Sequence, residues 1–275
     1  MSAPLPTLTA MSPDDLARAG LRLDLDLDGA LATVTLDRPG KRNAQTPTMW
    51  RALAALGADL PGSVRVVVLR GAGASFSAGL DRSLLLPGGA PDGVEAVGDL
   101  FALDDAAMAA TIADYQAGFT WLHDPRFVSV AAVHGHAIGA GFQLALACDL
   151  RVVTDDVGFS MKESVLGLVP DLAGTKPLVE AVGYARALEL CATARTVQGP
   201  EAVAIGLALR SVPADALDAA VQELVAALLG PMPDVVAETK ALLQGAAGRS
   251  VDEQCRRERE AQVRRFRALG AGGPG

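Results

Sequence analysis

Cysteine, aromatic side chains and positive charge are all scarce in this 275-residue chain, and each shortage excludes something. There are three cysteines, Cys148, Cys191 and Cys255, far apart and without a CxxC pair, so neither a disulfide scaffold nor a thiolate metal site is expected. Buried, reduced thiols in a cytoplasmic protein are the simplest reading. Aromatic residues make up 4% of a chain that is 50% hydrophobic, so the core has to be aliphatic and rich in alanine. Lys and Arg total 24 against 32 Asp and Glu, a net charge of −8 that repels phosphate backbones and speaks against nucleic-acid binding. The opening residues MSAPLPTLTAMSPDD lack a basic segment followed by an apolar one, so no secretory signal is expected. Only Val128 to Cys148, 21 residues without a formal charge, needs a membrane test. It holds His134, His136, Gln143 and three glycines, which suits a buried strand that turns into a helix. No membrane partner is expected.

At about 150 residues per domain, the length allows one large domain with a small appendage. Residues 1–20, rich in Pro, Ser and Ala, read as an N-terminal arm or short helix. Leu21, Leu23, Leu25 and Leu27 then alternate with charged residues, which is strand periodicity. Asp28-Gly29 predicts a two-residue hairpin turn, with Leu31 to Leu36 as the return strand. Residues 46–60 and 104–123 read as helices. SVRVVVLRG, FVSVAAVHG and DLRVVTD read as buried strands, and Ala140 to Cys148 as a helix. Strands alternating with helices define an α/β fold. From about Ala181 to Leu269 helical signals dominate, closing in the charged helix VDEQCRREREAQVRRFRAL.

Two loops combine a strand end with a helix or turn start: FSAGLD, Phe76 to Asp81, and HGHAIGAGFQL, from His134. Such junctions leave backbone amides free for an anion or an oxyanion. Singly, either loop is also ordinary turn chemistry. No GxSxG elbow, GxxxxGK[ST] loop or dinucleotide fingerprint occurs, so no redox cofactor is implied. His134 and His136 lack a third ligand nearby, and no metal site is expected.

Four segments in order, VTLDRPGKRNA (Val34 to Ala44), FSAGLD, AVHGHAIGAGFQLALACDLR (Ala132 to Arg151) and FSMKESVLGLVPDLAGT (Phe159 to Thr175), resemble the crotonase superfamily, the enoyl-CoA hydratase/isomerase family. The resemblance covers roughly residues 21 to 270. It implies a spiral of repeated ββα units over 21–200 and a C-terminal helical trimerisation region over 201–275, giving a homotrimer or homohexamer. It implies an acyl-CoA thioester substrate of fatty acid metabolism, with coenzyme A entering only as part of the substrate and no separate cofactor. The oxyanion hole would be the amides of Leu80 and Ala140, where the family usually has glycine at the second position.

The same resemblance places the acid/base chemistry at Glu163, Asp171 and Gln143. In hydratases of the family position 143 is a glutamate; an amide there neither takes nor gives a proton near neutral pH. Asp171 matches a second carboxylate of dienoyl-CoA isomerases, and equally suits a turn or helix cap. Moving a double bond needs one base, whereas adding water is helped by two titratable groups, so isomerisation is expected ahead of hydration. A non-catalytic acyl-CoA binder is the other class that fits. Arg38, Lys41 and Arg42 resemble the CoA-phosphate region, with Ala44, Ala78, Asp81 and Arg82 also implied in CoA binding; a solvated loop is the plain alternative for the basic cluster. The arginines of the last helix suit either a neighbouring subunit's CoA or an exposed charged face. Residues 82–104 are expected to wall the acyl pocket.

Overall fold

The computed structural model describes residues 11–88 and 94–272 of the chain. Its strands are β1 (Leu21–Asp26), β2 (Leu31–Leu36), β3 (Val66–Gly71), β4 (Val128–Val133), β5 (His136–Ile138), β6 (Leu150–Thr154), β7 (Gly158–Ser160) and β8 (Arg210–Val212). The helices are α1 (Pro13–Arg18), α2 (Pro47–Asp59), α3 (Asp105–Thr120), α4 (Ala140–Ala147), α5 (Thr175–Val182), α6 (Tyr184–Thr193), α7 (Gly199–Ala204), α8 (Leu217–Leu229), α9 (Pro233–Ala246) and α10 (Val251–Gly270). Residues 1–10 of the expected arm lie outside the described residues, and its remainder forms α1, capped by the Ser12 hydroxyl on the Asp15 N–H.

One six-stranded sheet has the order β1-β2-β3-β4-β6-β8, parallel except for the β1–β2 hairpin. Its central strands are apolar on both faces because both are covered. Val67, Leu69, Ala131 and Val133 belong to the large core that also holds residues of α2, α3 and α4. Val66, Val68, Val130 and Ala132 pack with Leu217, Val221 and Val225 of α8. Helices α2 and α3 touch closely at Gly118, where a Cβ would come within 2.3 Å of the Trp50 carbonyl oxygen.

A second, interrupted ladder runs beside this sheet. Gln45 pairs with Leu80, Ser77 with Ala137, β5 with β7, and Phe159 with Val197. Strands β2, β3, β4 and β6 are thus each followed by a short segment in the second ladder, which is how the expected spiral of ββα turns is realised. The loops between the two ladders carry the site.

Three expectations need correction. The hairpin has Asp28 and Gly29 at positive φ inside a turn closed by the Ala30 N–H on Leu27 O, but Leu27 also has positive φ and β1 pairs only as far as Asp26–Leu31. The connection is therefore four residues long, and Leu25, near the end of β1, and Leu27, in the turn, are both exposed. Strand β8 lies where helix was expected: Arg210–Val212 pairs with β6, and α8 then covers the sheet, so the sheet and its covering layer run past residue 200. Of the cysteines only Cys148 is buried; Cys191 is half-buried and Cys255 exposed. The expected pocket wall at 82–104 is present where it is described: Arg82, Leu85, Val97, Leu100 and Phe101 line the pocket, the last three from a 3-10 helix, Val97–Ala102, while residues 89–93 lie outside the described residues.

Candidate active site

The loop after β3 is held by two buried residues, the side chain of Asn43 and the backbone of Gln45. Asn43 donates to the carbonyls of Ala72 and Ser75 at 2.8 and 2.7 Å and accepts the Arg38 N–H at 2.9 Å. Gln45 gives its backbone N–H to Gly79 O at 2.7 Å and receives the Asp81 N–H at 2.8 Å. Those two bonds bracket Leu80, whose own N–H donates to no acceptor among the described residues. Gly79 has φ of +85°, and a Cβ on it would lie 2.4 Å from Ile138 O, so only glycine lets this loop press against β5.

On the other side of that contact, Gly139 (φ +51°) is the N-cap of α4 and anchors its N–H on Ser160 O at 2.8 Å. Ala140 is the first helical residue, and its N–H likewise has no acceptor among the described residues. Its nitrogen would lie 3.6 Å from a Cβ on Gly79, so the two unpartnered amides of Leu80 and Ala140 belong to neighbouring backbone. The start of α4 adds partial positive charge. The sequence motifs located this pair, and the fold brings it together at one pocket of about 590 Å³.

Glu163 opens the 3-10 turn Glu163–Leu166 after β7 and is 7% exposed. A Cβ on Gly139 would sit 3.2 and 3.7 Å from its two carboxylate oxygens, which places the carboxylate against the Gly139–Ala140 turn. Oε1 accepts a hydrogen bond from Gln143 Nε2 at 2.7 Å; Oε2 is buried and has no partner. Burial pushes the Glu163 carboxyl above its ordinary value, helped by the charge of Asp171, against the hydrogen bonds it accepts.

Gln143, on α4, is buried, and its Oε1 accepts the N–H groups of Leu172 at 2.9 Å and Gly174 at 3.3 Å. Two backbone donors on one oxygen define which way the amide faces. Asp171 lines the same pocket and is accessible from it, while Gln116 holds its backbone carbonyl at 2.7 Å. Crowding by surrounding protein atoms raises its carboxyl as well. Gly167 and Pro170 interrupt the chain between the two carboxylates, and a loop rather than a helix brings them to one pocket, as their spacing predicts.

The residues implied in CoA binding divide into two groups. Arg38 Nη2 lies 3.0 Å from Asp81 Oδ2, and Arg38 also donates to Ala44 O. Arg38 and Asp81 therefore serve each other, and Ala44 is buried. Burial would raise the Asp81 carboxyl, but the Ser83 hydroxyl and Arg38 outweigh it and hold it below the ordinary carboxylate range. Lys41, Arg42 and Arg82 are exposed and pair with no carboxylate among the described residues. Arg42 accepts the Ala78 N–H at 2.9 Å on its carbonyl, and Ala78 and Arg82 line the pocket. In α10, Arg256 and Arg257 pair with Glu253, and Arg264 pairs with Glu238 of α9.

Part of the pocket lining comes from two helices that sequence patterns do not mark as site. Trp50, Tyr115, Met108 and Ile112, from α2 and α3, line the pocket together with Leu166, Leu168 and Val169. The Tyr115 hydroxyl donates to Glu95 Oε1 at 2.8 Å, which Arg51 also holds. Aromatic residues in such helices look like core by pattern, and only packing shows that they border a cavity. His134 and His136 stay apart from it: His134 Nε2 bonds Gly73 O at 2.8 Å, and His136 Nδ1 lies 3.3 Å from the Ser75 hydroxyl.

The spiral α/β fold sets two unpartnered amides, one on the loop after β3 and one at the start of α4, beside a buried carboxylate, an arrangement that can hold a developing oxyanion and move a proton next to it. The family model for enoyl-CoA hydratase/isomerase matches residues 26–270, and the chain belongs to that family. It is 32% identical over 231 residues to the peroxisomal Δ(3,5)-Δ(2,4)-dienoyl-CoA isomerase of Arabidopsis thaliana, covering 82% of this chain and 81% of that protein. It is also 32% identical to the carnitinyl-CoA dehydratase of Salmonella arizonae, covering 90% and 89%. Among solved structures, a candidate enoyl-CoA hydratase from Thermobifida fusca YX in complex with acetoacetyl-CoA is 49% identical, with a TM-score of 0.90 over 94% of this chain and 99% of that one.

Proposed function

We propose that this protein binds an acyl-CoA thioester and shifts a double bond along its acyl chain. The amides of Leu80 and Ala140 hold the thioester oxygen as it gains enolate charge, and Glu163 carries the proton from one carbon to another. The observation behind this reading is the state of the two side chains that would share acid/base work. Glu163 has one oxygen without a partner and a raised proton affinity, whereas both ends of the Gln143 amide are occupied. One titratable group beside the oxyanion turn suits proton relocation better than addition of water. Asp171 supplies a second carboxylate in the same pocket for a dienoyl substrate, in keeping with the isomerase relative.

The acetoacetyl-CoA bound by the Thermobifida protein supports a CoA thioester here. Lys41, Arg42 and Arg82 are the cations available to CoA phosphates, and the C-terminal helices suit assembly into a trimer or hexamer. The test is direct. Purified protein is mixed with a 3-enoyl-CoA and the ultraviolet band of the conjugated 2-enoyl product is followed, with Glu163→Gln as control. Turnover that falls at least about 10²-fold in the variant supports the assignment. An unchanged rate removes Glu163 from the mechanism, and faster hydration of a 2-enoyl-CoA than isomerisation of the 3-enoyl isomer makes the protein a hydratase.

A further inference from the structure

Gln143 stands between Glu163 and the turn Leu172–Gly174, and every polar atom it uses is accounted for. Its Nε2 reaches Glu163 Oε1 at 2.7 Å, and its Oε1 takes both the Leu172 and the Gly174 N–H. Rotating the amide by half a turn would set an NH₂ against two N–H donors and an oxygen against a carboxylate, losing all three bonds. Space also closes it in: a Cβ on Gly174 would lie 2.6 Å from Gln143 Cγ. The side chain is 1% exposed, so water does not compete for these bonds.

We infer that Gln143 is a positioning residue that makes Glu163 a one-oxygen base: it occupies Oε1, leaves Oε2 as the atom that takes and returns the proton, and ties that carboxylate to the Leu172–Gly174 turn of the pocket wall. This rests on the reading of Glu163 as the proton carrier. The step balances on Oε2 alone. A C–H bond next to the thioester carbonyl breaks, its electron pair becomes the enolate held by Leu80 and Ala140, and Oε2 becomes O–H. That proton then bonds to the γ-carbon, the enolate electrons return to form the conjugated double bond, and Glu163 is ionised again. Gln143 neither gains nor loses a proton. Leu172 and Leu168 bound the pocket on the side of the tied turn, so the same amide links the base to the wall that an acyl chain touches.

The experiment measures kcat/KM for 3-enoyl-CoA isomerisation against pH in the wild type, Gln143→Leu and Gln143→Met. A hydrogen bond to a charged group favours the ionised carboxylate, so its loss is expected to move the acid limb about one to two pH units upward. KM for the thioester should change far less than kcat. A folded variant whose rate drops equally at every pH, with the limb in place, overturns the inference. If neither variant folds, isomerisation by the wild type in D₂O decides: a shielded single oxygen keeps part of the original proton in the product, and complete deuteration at the γ-carbon overturns it. Glu163→Gln separates the two levels. Full activity there defeats the reading of Glu163, whereas an inactive Glu163→Gln beside an unmoved limb in the Gln143 variants defeats only the role of Gln143.

Discussion

The guanidinium of Arg38 and the carboxylate of Asp81 sit 3.0 Å apart, clamping the loop after β2 to the loop that carries Leu80. Arg38 belongs to the basic stretch that resembles a CoA-phosphate region, yet its charge is spent inside the protein. Both side chains are more than two-thirds buried. Arg38→Ala is expected to lower stability in urea unfolding by about 1.5–3 kcal/mol, the range for a hydrogen bond to a charged group. Adding Asp81→Ala should cost less than the sum of the single changes. Strict additivity would mean that the pair does not act as a clamp.

Gly79 is where the free amide of Leu80 depends on a missing side chain. A methyl group 2.4 Å from Ile138 O forces the loop away from β5. Gly79→Ala should therefore reduce kcat by about 10²–10³-fold, as loss of an oxyanion donor does. Circular dichroism should show a native sheet; a folded variant with normal kcat would separate Leu80 from the oxyanion hole.

The raised proton affinity of Glu163 has a sign that stability measurements can read. The folded protein holds this proton above the pH at which the unfolded chain releases it, so its contribution is fully present below the ordinary glutamate value and is lost as pH rises through the folded value. Glu163→Gln is thus expected to melt higher than the wild type at pH 7 to 8, with the advantage shrinking as pH falls through the ordinary carboxylate range. Thermal melts across that interval check it, and a variant less stable at neutral pH would contradict the burial argument.

The pocket walls are apolar over most of their extent, with Leu85, Leu100, Phe101, Met108, Leu166 and Val169 among the lining residues. A cavity of about 590 Å³ is large for a four-carbon acyl group. Each added methylene should gain about 0.8 kcal/mol, or roughly fourfold in kcat/KM, until the cavity is filled. A series of straight-chain enoyl-CoA substrates tests this, and a maximum at four carbons would show that the outer pocket is not used.

The central strands were legible because covering both faces of a parallel sheet demands unbroken runs such as VVVLRG and VSVAAV, which no amphipathic helix imitates. Strands β5 and β8 were not legible, since three residues are too few to show a period and their partners come from distant chain. The oxyanion loops could be read from glycine placement, because Gly79 and Gly139 adopt conformations other residues resist. The roles of Arg38 and Gln143 could not be read. Arg38 looks like a free cation until Asp81, 43 positions away, is folded onto it.

Sequence by itself determined the α/β class, the family, the two amide-bearing loops and the carboxylates Glu163 and Asp171, because local backbone needs and short motifs carry that information. Only the tertiary structure decided how those groups stand to one another. Whether a carboxylate is free or bound, and which of its oxygens remains available, depends on partners brought together across the chain, as Gln143 meets Glu163 and the Leu172–Gly174 turn.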